Sequence, residues 1–252
     1  MNTNTILVSI ITINKNNSVG LQKTINSIQL QKNILFEWIF IDGLSSDLSC
    51  INAYNAPFQN KVIISEEDNG IYEAMNKGIS RVSKNSVLTV FLNSGDFFHK
   101  SDSLKNVIYK FMSSLKKPDI ILCASKEVCR YGLRDRIPKN INYIYFGMPS
   151  HHQSIIYSSE TLKKFNFSLN YKFASDYEQL CRLFLDEKLF LVYYNVLSIF
   201  SNDGVSLSKA KESRLEAMEI RSKILKVPYF INLLIYLIHS ITHSLKLSIR
   251  YF

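Results

Sequence analysis

Asp96 closes the tetrapeptide Asn93-Ser94-Gly95-Asp96, which follows the apolar and β-branched run 87–92 without a break. Such a run reads as a strand buried on both faces. In open α/β sheets, ligands bind just beyond the carboxyl ends of strands. A carboxylate there can hold a hard cation, and the cation can hold a diphosphate. Gly95 lets the backbone turn sharply and lets a bulky group come close. The plainer reading is an Asp that caps a helix beginning near Ser101, or an ordinary turn residue. Two further polar tips have the same form: Asn14 ends the run 6–13, and Asp42-Gly43 ends the run 37–41. Asp68-Asn69-Gly70 opens a helix, and Asp176 and Glu178 share the first turn of another. Asp176 there is equally a normal helix opening. His151-His152 offers two imidazoles, but adjacent side chains in an extended segment point apart. One can contact an acceptor or a diphosphate, and a surface position accounts for them equally.

The elements that would position these residues alternate. Strands at 6–13, 37–41, 62–65 and 87–92 are separated by helices, one carrying Leu21, Ile25 and Ile28 on one face and one over 71–81. This order predicts a parallel, right-handed, doubly wound sheet with helices on both faces. The tips carrying Asn14, Asp42 and Asp96 converge only if their strands are neighbours. The second half is less regular. A helix over 101–115, a strand at 119–124, a hairpin or loop over 126–142, an apolar end at 155–157 to the segment 146–157, a helix over 176–186 and a strand at 190–194 are expected, with a turn at Asn202-Asp203-Gly204.

The chain has 252 residues, 12% aromatic, with eight glycines, five prolines and a net charge of +9. That length accommodates one large α/β domain or two small ones. The positive balance suits anionic partners. No aromatic-basic signature of nucleic-acid binding is present, so no nucleic-acid partner is expected. Cys50, Cys123, Cys129 and Cys181 make no C-x-x-C and no zinc spacing, and read as buried thiols in a reducing compartment. The first Lys is Lys15, which argues against a signal peptide. The absence of any G-x-G or G-K-[ST] excludes a nucleotidyltransferase, a P-loop ATPase and a dinucleotide dehydrogenase.

Six stretches in order carry a resemblance: S-I-I-T-I-N (9–14), E-W-I-F-I-D-G-L-S-S-D (37–47), S-E-E-D-N-G-I-Y-E-A-M-N-K-G-I (65–79), F-L-N-S-G-D-F-F (91–98), H-Q-S-I-I-Y (152–157) and F-A-S-D-Y-E (173–178). Over roughly residues 6–206 the chain resembles the family 2 glycosyltransferases, nearest the colanic-acid, O-antigen and capsule type. The resemblance implies a GT-A fold, an inverting mechanism, a nucleotide-diphosphate sugar donor, a saccharide acceptor, commonly lipid-linked, and Mg²⁺ or Mn²⁺. It implies that Asn14 and Asp42 line the nucleotide pocket, with Thr12 on the same strand and Asp42 at the base. It implies that Asp68 and Gly70 position the nucleotide sugar, with Asn76 on the helix behind. Ser94-Gly95-Asp96 matches the D-x-D metal triplet with Ser in place of the first Asp, leaving Asp96 as the metal ligand. Asp176 matches the catalytic base, with Glu178 its competitor. His152 and Gln153 stand where substrate is contacted. The family's late His is replaced within Phe200–Ser206. The lost Asp keeps a non-enzymatic reading open: a degenerate nucleotide-sugar-binding or scaffold protein.

These readings divide the chain into a nucleotide-sugar half (1–99), an acceptor and catalytic half (100–207) and a helical tail (208–252). From Lys209 onward eight Lys or Arg face three Glu. Val227, Ile231, Leu234, Ile238, Ile241, Leu245 and Ile249 form one helical stripe, with His239, His243, Lys246 and Arg250 on another face. The longest nearly apolar run, 229–238, is too short to cross a bilayer, which needs ~20 residues. An interfacial helix on the cytoplasmic face of the inner membrane is expected, with packing on the domain or a homodimer contact as the alternatives.

Overall fold

The computed structural model describes residues 5–130, 132–200 and 209–251, excepting the side chains of 245–251. The expected turn at 202–204 and the late motif to Ser206 lie outside the described residues. The first half alternates as the sequence predicts: β1 (Leu7–Asn14), α1 (Ser18–Gln29), β2 (Leu35–Asp42), α2 (Ser49–Tyr54), β3 (Lys61–Ser65), α3 (Ile71–Arg81) and β4 (Leu88–Phe91). Then come β5 (Phe97–Phe98), α4 (Ser103–Ser113), β6 (Ile120–Cys129), β7 (Gly132–Arg136), β8 (Ile155–Ser158), α5 (Ser159–Lys164), α6 (Ser175–Leu185) and β9 (Phe190–Phe200). The tail is a helical hairpin, α7 (Ala210–Lys223) and α8 (Tyr229–Tyr251).

One mixed sheet runs in the order β3-β2-β1-β4-β8-β6-β9-β5, with β7 paired to β6. The four N-terminal strands are mutually parallel. β8 enters between β4 and β6, antiparallel to both. The apolar runs are continuous because both faces are covered. Val8, Ile10, Trp38, Phe40, Leu88 and Val90 pack on one side with α1 and α4. Ile11, Ile39, Ile41 and Phe91 pack on the other with α3 and α6.

Register aligns the polar tips. Asn14 is the cross-strand partner of Asp42, and Asp42 of Ser65. β4 lies on the other side of β1, and the Ser94 N–H bonds the Ile13 carbonyl at 3.1 Å. The condition for convergence is therefore met.

Thr12 corrects one expectation. It is fully buried, and its hydroxyl accepts the Trp38 indole N–H at 3.0 Å. That bond satisfies a buried donor, and the residue does not reach a substrate.

Candidate active site

The corner at the ends of β1 and β2 is built around Asp42, which is fully buried. Its Oδ1 accepts Asn14 Nδ2 at 2.8 Å and Ser45 Oγ at 2.5 Å. Its Oδ2 accepts the Ser45 N–H at 2.8 Å, Ser65 Oγ at 2.9 Å and Cys50 Sγ at 3.3 Å. Burial pushes this carboxyl up, but the bonds from Ser45, Asn14 and Cys50 outweigh it and hold it below its ordinary value. Asp42 is thus committed to organising the corner. The buried Asn14 Oδ1 has no hydrogen-bond partner among the described residues and is the open acceptor here. Asp68 sits over the same corner. A Cβ on Gly43 would lie 2.5 Å from its Oδ2, so any larger residue there would displace the Asp68 carboxylate. Its Oδ1 accepts the Gly70 N–H at 3.0 Å, fixing the approach to α3.

The metal-motif turn is held from α1, a support the sequence reading did not include. Asn17 Nδ2 donates to the Ser94 carbonyl at 2.9 Å while its Oδ1 caps α1. Thr24, fully buried, accepts the Gly95 N–H at 3.0 Å and donates to the Asp96 carbonyl at 2.8 Å. Gly95 has φ +103°, a conformation that favours glycine. The turn presents one buried carboxylate, Asp96, and one solvent-shielded hydroxyl, Ser94 Oγ, which lacks a hydrogen-bond partner among the described residues. Among the described residues no three His, Cys, Asp or Glu side chains cluster. This donor set fits Mg²⁺ or Mn²⁺, which needs only one or two protein ligands beside water and phosphate oxygens. Asp96 and Ser94 would hold it.

Asp176 lies in the first turn of α6. Its Oδ1 accepts Tyr72 Oη and the Tyr177 N–H, both at 2.9 Å. Its Oδ2 makes no hydrogen bond to the described residues and is available to a hydroxyl. Tyr72 is held well above its ordinary value by burial and by the Asp176 charge, so it stays a donor. Glu178 is excluded as the competitor: it is buried and its carboxylate is taken by Arg182 at 2.8 and 3.0 Å. The approach to α6 is fixed from α7, where Glu216 accepts the N–H groups of Lys172, Phe173 and Ala174 at 2.8–2.9 Å.

A cleft of about 760 Å³ is lined by Asn93, Tyr72, His151, His152, Gln153 and Asp176, with α7 and α8 completing its wall. The surface alternative for the histidine pair fails. His152 is buried between Phe91 and Phe167, with ring centroids 5.1 and 5.7 Å away, and neither of its nitrogens has a hydrogen-bond partner among the described residues. Burial keeps it below the ordinary histidine value, against the pull of Asp176. His151 stacks on Phe200 and is lowered by burial to about 3. Asn76 does not belong to the binding set. Both ends of its amide are used by the Phe167 backbone, at 2.9 Å each, so it braces that loop.

Comparison with known proteins gives the family and the fold. A PGL/p-HBAD biosynthesis glycosyltransferase of Mycobacterium tuberculosis is 26% identical over 216 residues, 80% of this chain and 79% of that protein. An uncharacterized glycosyltransferase of the same species is 38% identical over 107 residues, but the match spans only 38% of its length. Solved structures share the fold. Staphylococcus aureus TarS 1-349 aligns with a TM-score of 0.65 at 17% identity, over 92% of this chain and 69% of that one. The mannosyltransferase PcManGT of Pyrobaculum calidifontis, in complex with GDP-Man and Mn²⁺, aligns with a TM-score of 0.67 at 13% identity, over 88% and 64%. The family model described as Glycosyl transferase family 2 matches residues 9–190, and the chain belongs to that family, with a GT-A fold.

Proposed function

We infer that the protein is an inverting, metal-dependent hexosyltransferase that moves a sugar from a nucleotide-diphosphate donor to a saccharide acceptor in surface-glycan synthesis. The observation that carries this reading is the placement of Asp176, with one oxygen anchored by Tyr72 and the other open, in one cleft with Asn93, the first residue of the turn that ends in Asp96. Asp176 takes the proton of the attacking acceptor hydroxyl. Asn14, Asp68 and Gly70 border the donor corner, and His152 and Gln153 border the cleft. A cation held by Asp96 and Ser94 supplies charge neutralisation for the departing diphosphate. The complex of PcManGT with GDP-Man and Mn²⁺ supports this donor and metal class. The experiment is donor hydrolysis over a panel of nucleotide sugars with and without Mn²⁺. Metal-dependent release of nucleotide diphosphate is expected. Donor binding without turnover under every acceptor condition would instead favour the degenerate binding protein.

The same reading includes a lipid-linked acceptor and a peripheral position on the cytoplasmic face of the inner membrane. Its support is α8. Phe230, Ile231, Leu234, Leu237, Ile238 and Ile241 are all exposed along it. No helix among the described residues is long and apolar enough to cross a membrane. One part of the expected tail is corrected: His239 does not face outward but packs on Phe146, with ring centroids 4.6 Å apart, and lines the cleft.

A further inference from the structure

The cleft carries more positive charge than its own walls neutralise. Arg136, Lys139, Lys172, Arg214 and Arg221 all line it. Two are engaged internally: Arg136 pairs with Glu127, and Arg221 gives Nε to Asn232 at 2.7 Å and Nη1 to the Phe146 carbonyl at 3.3 Å. Lys139, Lys172 and Arg214 form no ion pair among the described residues. The Nε of Arg214 is shielded from solvent and has no hydrogen-bond partner there. Of the nearby carboxylates, Glu216 is committed to three backbone N–H groups and Asp135 to Lys126, while Asp176 forms no ion pair among the described residues and gives one oxygen to Tyr72. A shielded guanidinium N–H without an acceptor loses hydration and regains nothing until an acceptor arrives.

These cations come from three separate segments: the chain after β7, the loop before α6, and α7. All three deliver charge to the cleft that holds Asp176. Arg214 lies beyond residues 9–190, so the family match does not account for it. A second cavity, an apolar groove of about 680 Å³, adjoins the first. It shares Tyr143 with the cleft and is lined by Phe146, Val227, Ile231 and Ile235. Cationic cleft and apolar groove thus meet at one side chain.

We propose that Lys139, Lys172 and Arg214 form an anion subsite for a phosphate group carried by the acceptor, so that transfer is directed to phosphorylated saccharides. The proposal rests on the glycosyl-transfer reading of this cleft. The planar fork of Arg214 suits two phosphate oxygens, and the two ammonium groups balance the second charge. No bond forms or breaks at the subsite; it sets which acceptor stays long enough to react. The phosphate can belong to a lipid carrier or to a soluble sugar phosphate.

The test titrates the full chain by calorimetry. UDP and GDP with Mn²⁺ come first, then glucose 1-phosphate, octyl phosphate and uncharged octyl glucoside, with the bound nucleotide saturating. Both phosphates are expected to bind, and octyl glucoside at least tenfold more weakly. Arg214→Gln and Lys172→Gln should each weaken phosphate binding about tenfold, the size of one charged hydrogen bond; Arg214→Lys should recover part of it. Tighter binding of octyl phosphate than of glucose 1-phosphate assigns the lipid source; equal binding assigns the soluble one. Unchanged affinity in both Gln variants, no phosphate binding by the unaltered chain, or displacement of phosphate by nucleotide would each overturn the subsite. A chain that binds phosphate but neither nucleotide would defeat the transferase reading alone.

Discussion

At the scale of single residues, the two carboxylates have separable roles. Asp96→Ala is expected to abolish metal-dependent turnover while the thermal melt stays within a few degrees, and full activity in that variant would remove Asp96 from the site. Asp176→Asn should bind donor and metal but lose transfer by ~10²-fold or more, whereas Glu178→Gln, whose loss strands Arg182, should lower stability and leave the rate constant for transfer close to normal. The histidines give a pH signature. His151 falls from the ordinary 6.5 to about 3 because burial disfavours its charged form. The unfolded chain therefore binds more protons than the folded one between those values. Stability must fall as pH drops from ~6.5 toward 3. His151→Phe should flatten the melting temperature between pH 6.5 and 4.5; an unchanged slope would place the acid sensitivity elsewhere.

At the scale of elements, the site is a set of strand tips held by helices. Thr24 couples α1 to the metal turn through two backbone groups. Thr24→Val is expected to weaken Mn²⁺ binding about tenfold, the value of one or two such bonds, as read by paramagnetic resonance of free Mn²⁺ with nucleotide diphosphate present. Thr24→Ser should preserve it. Equal affinities in all three proteins would leave the clamp without function. Much of this level was legible in the sequence. Each of the first four strands is a mostly apolar run that ends in, or within two residues of, Asn, Asp or Ser, and parallel order places the ends of β1, β2 and β3 together. Supports were not legible, because Thr24, Asn17 and Glu216 act on backbone groups distant in sequence and obey no spacing rule. Thr12 and Asn76 looked like site residues because they lie within motif stretches. Whether a polar side chain faces a ligand or a buried N–H depends on what lies opposite, such as the indole of Trp38. The insertion of β8 against β4 was equally hidden, since an apolar run does not state its direction.

For the whole molecule, the tail is a structural part of the catalytic domain. Arg221 and Asn232 are both buried and bonded to each other, joining α7 to α8. The one polar residue in the apolar run 229–238 was the clue to that partnership. Ending the chain near Lys226 would strand a buried guanidinium and confound any binding assay. The membrane reading is better tested by Phe230→Ser with Leu234→Ser and Ile241→Ser, which change only the outward face. This triple variant should lose most sedimentation with anionic vesicles and keep its melting temperature; undiminished sedimentation would return the face to a dimer contact.

α8 turns Ile235 and His239 inward while Leu234, Ile238 and Ile241 face out. The wall between the outer face and the cleft is therefore one helix thick, ~10–12 Å. With that face on a bilayer, the α7–α8 hairpin, joined by the buried Arg221–Asn232 bond and packed on Phe146 through His239, would set the standoff of the reacting hydroxyl from the lipid surface. An acceptor anchored in the same surface is then reached only at its first few sugars, and a longer glycan would have to fold back on itself. The enzyme would act as an early ruler of chain assembly. Transfer rates on vesicle-borne acceptors should drop steeply as sugars are added, while rates on the same glycans free in solution should not.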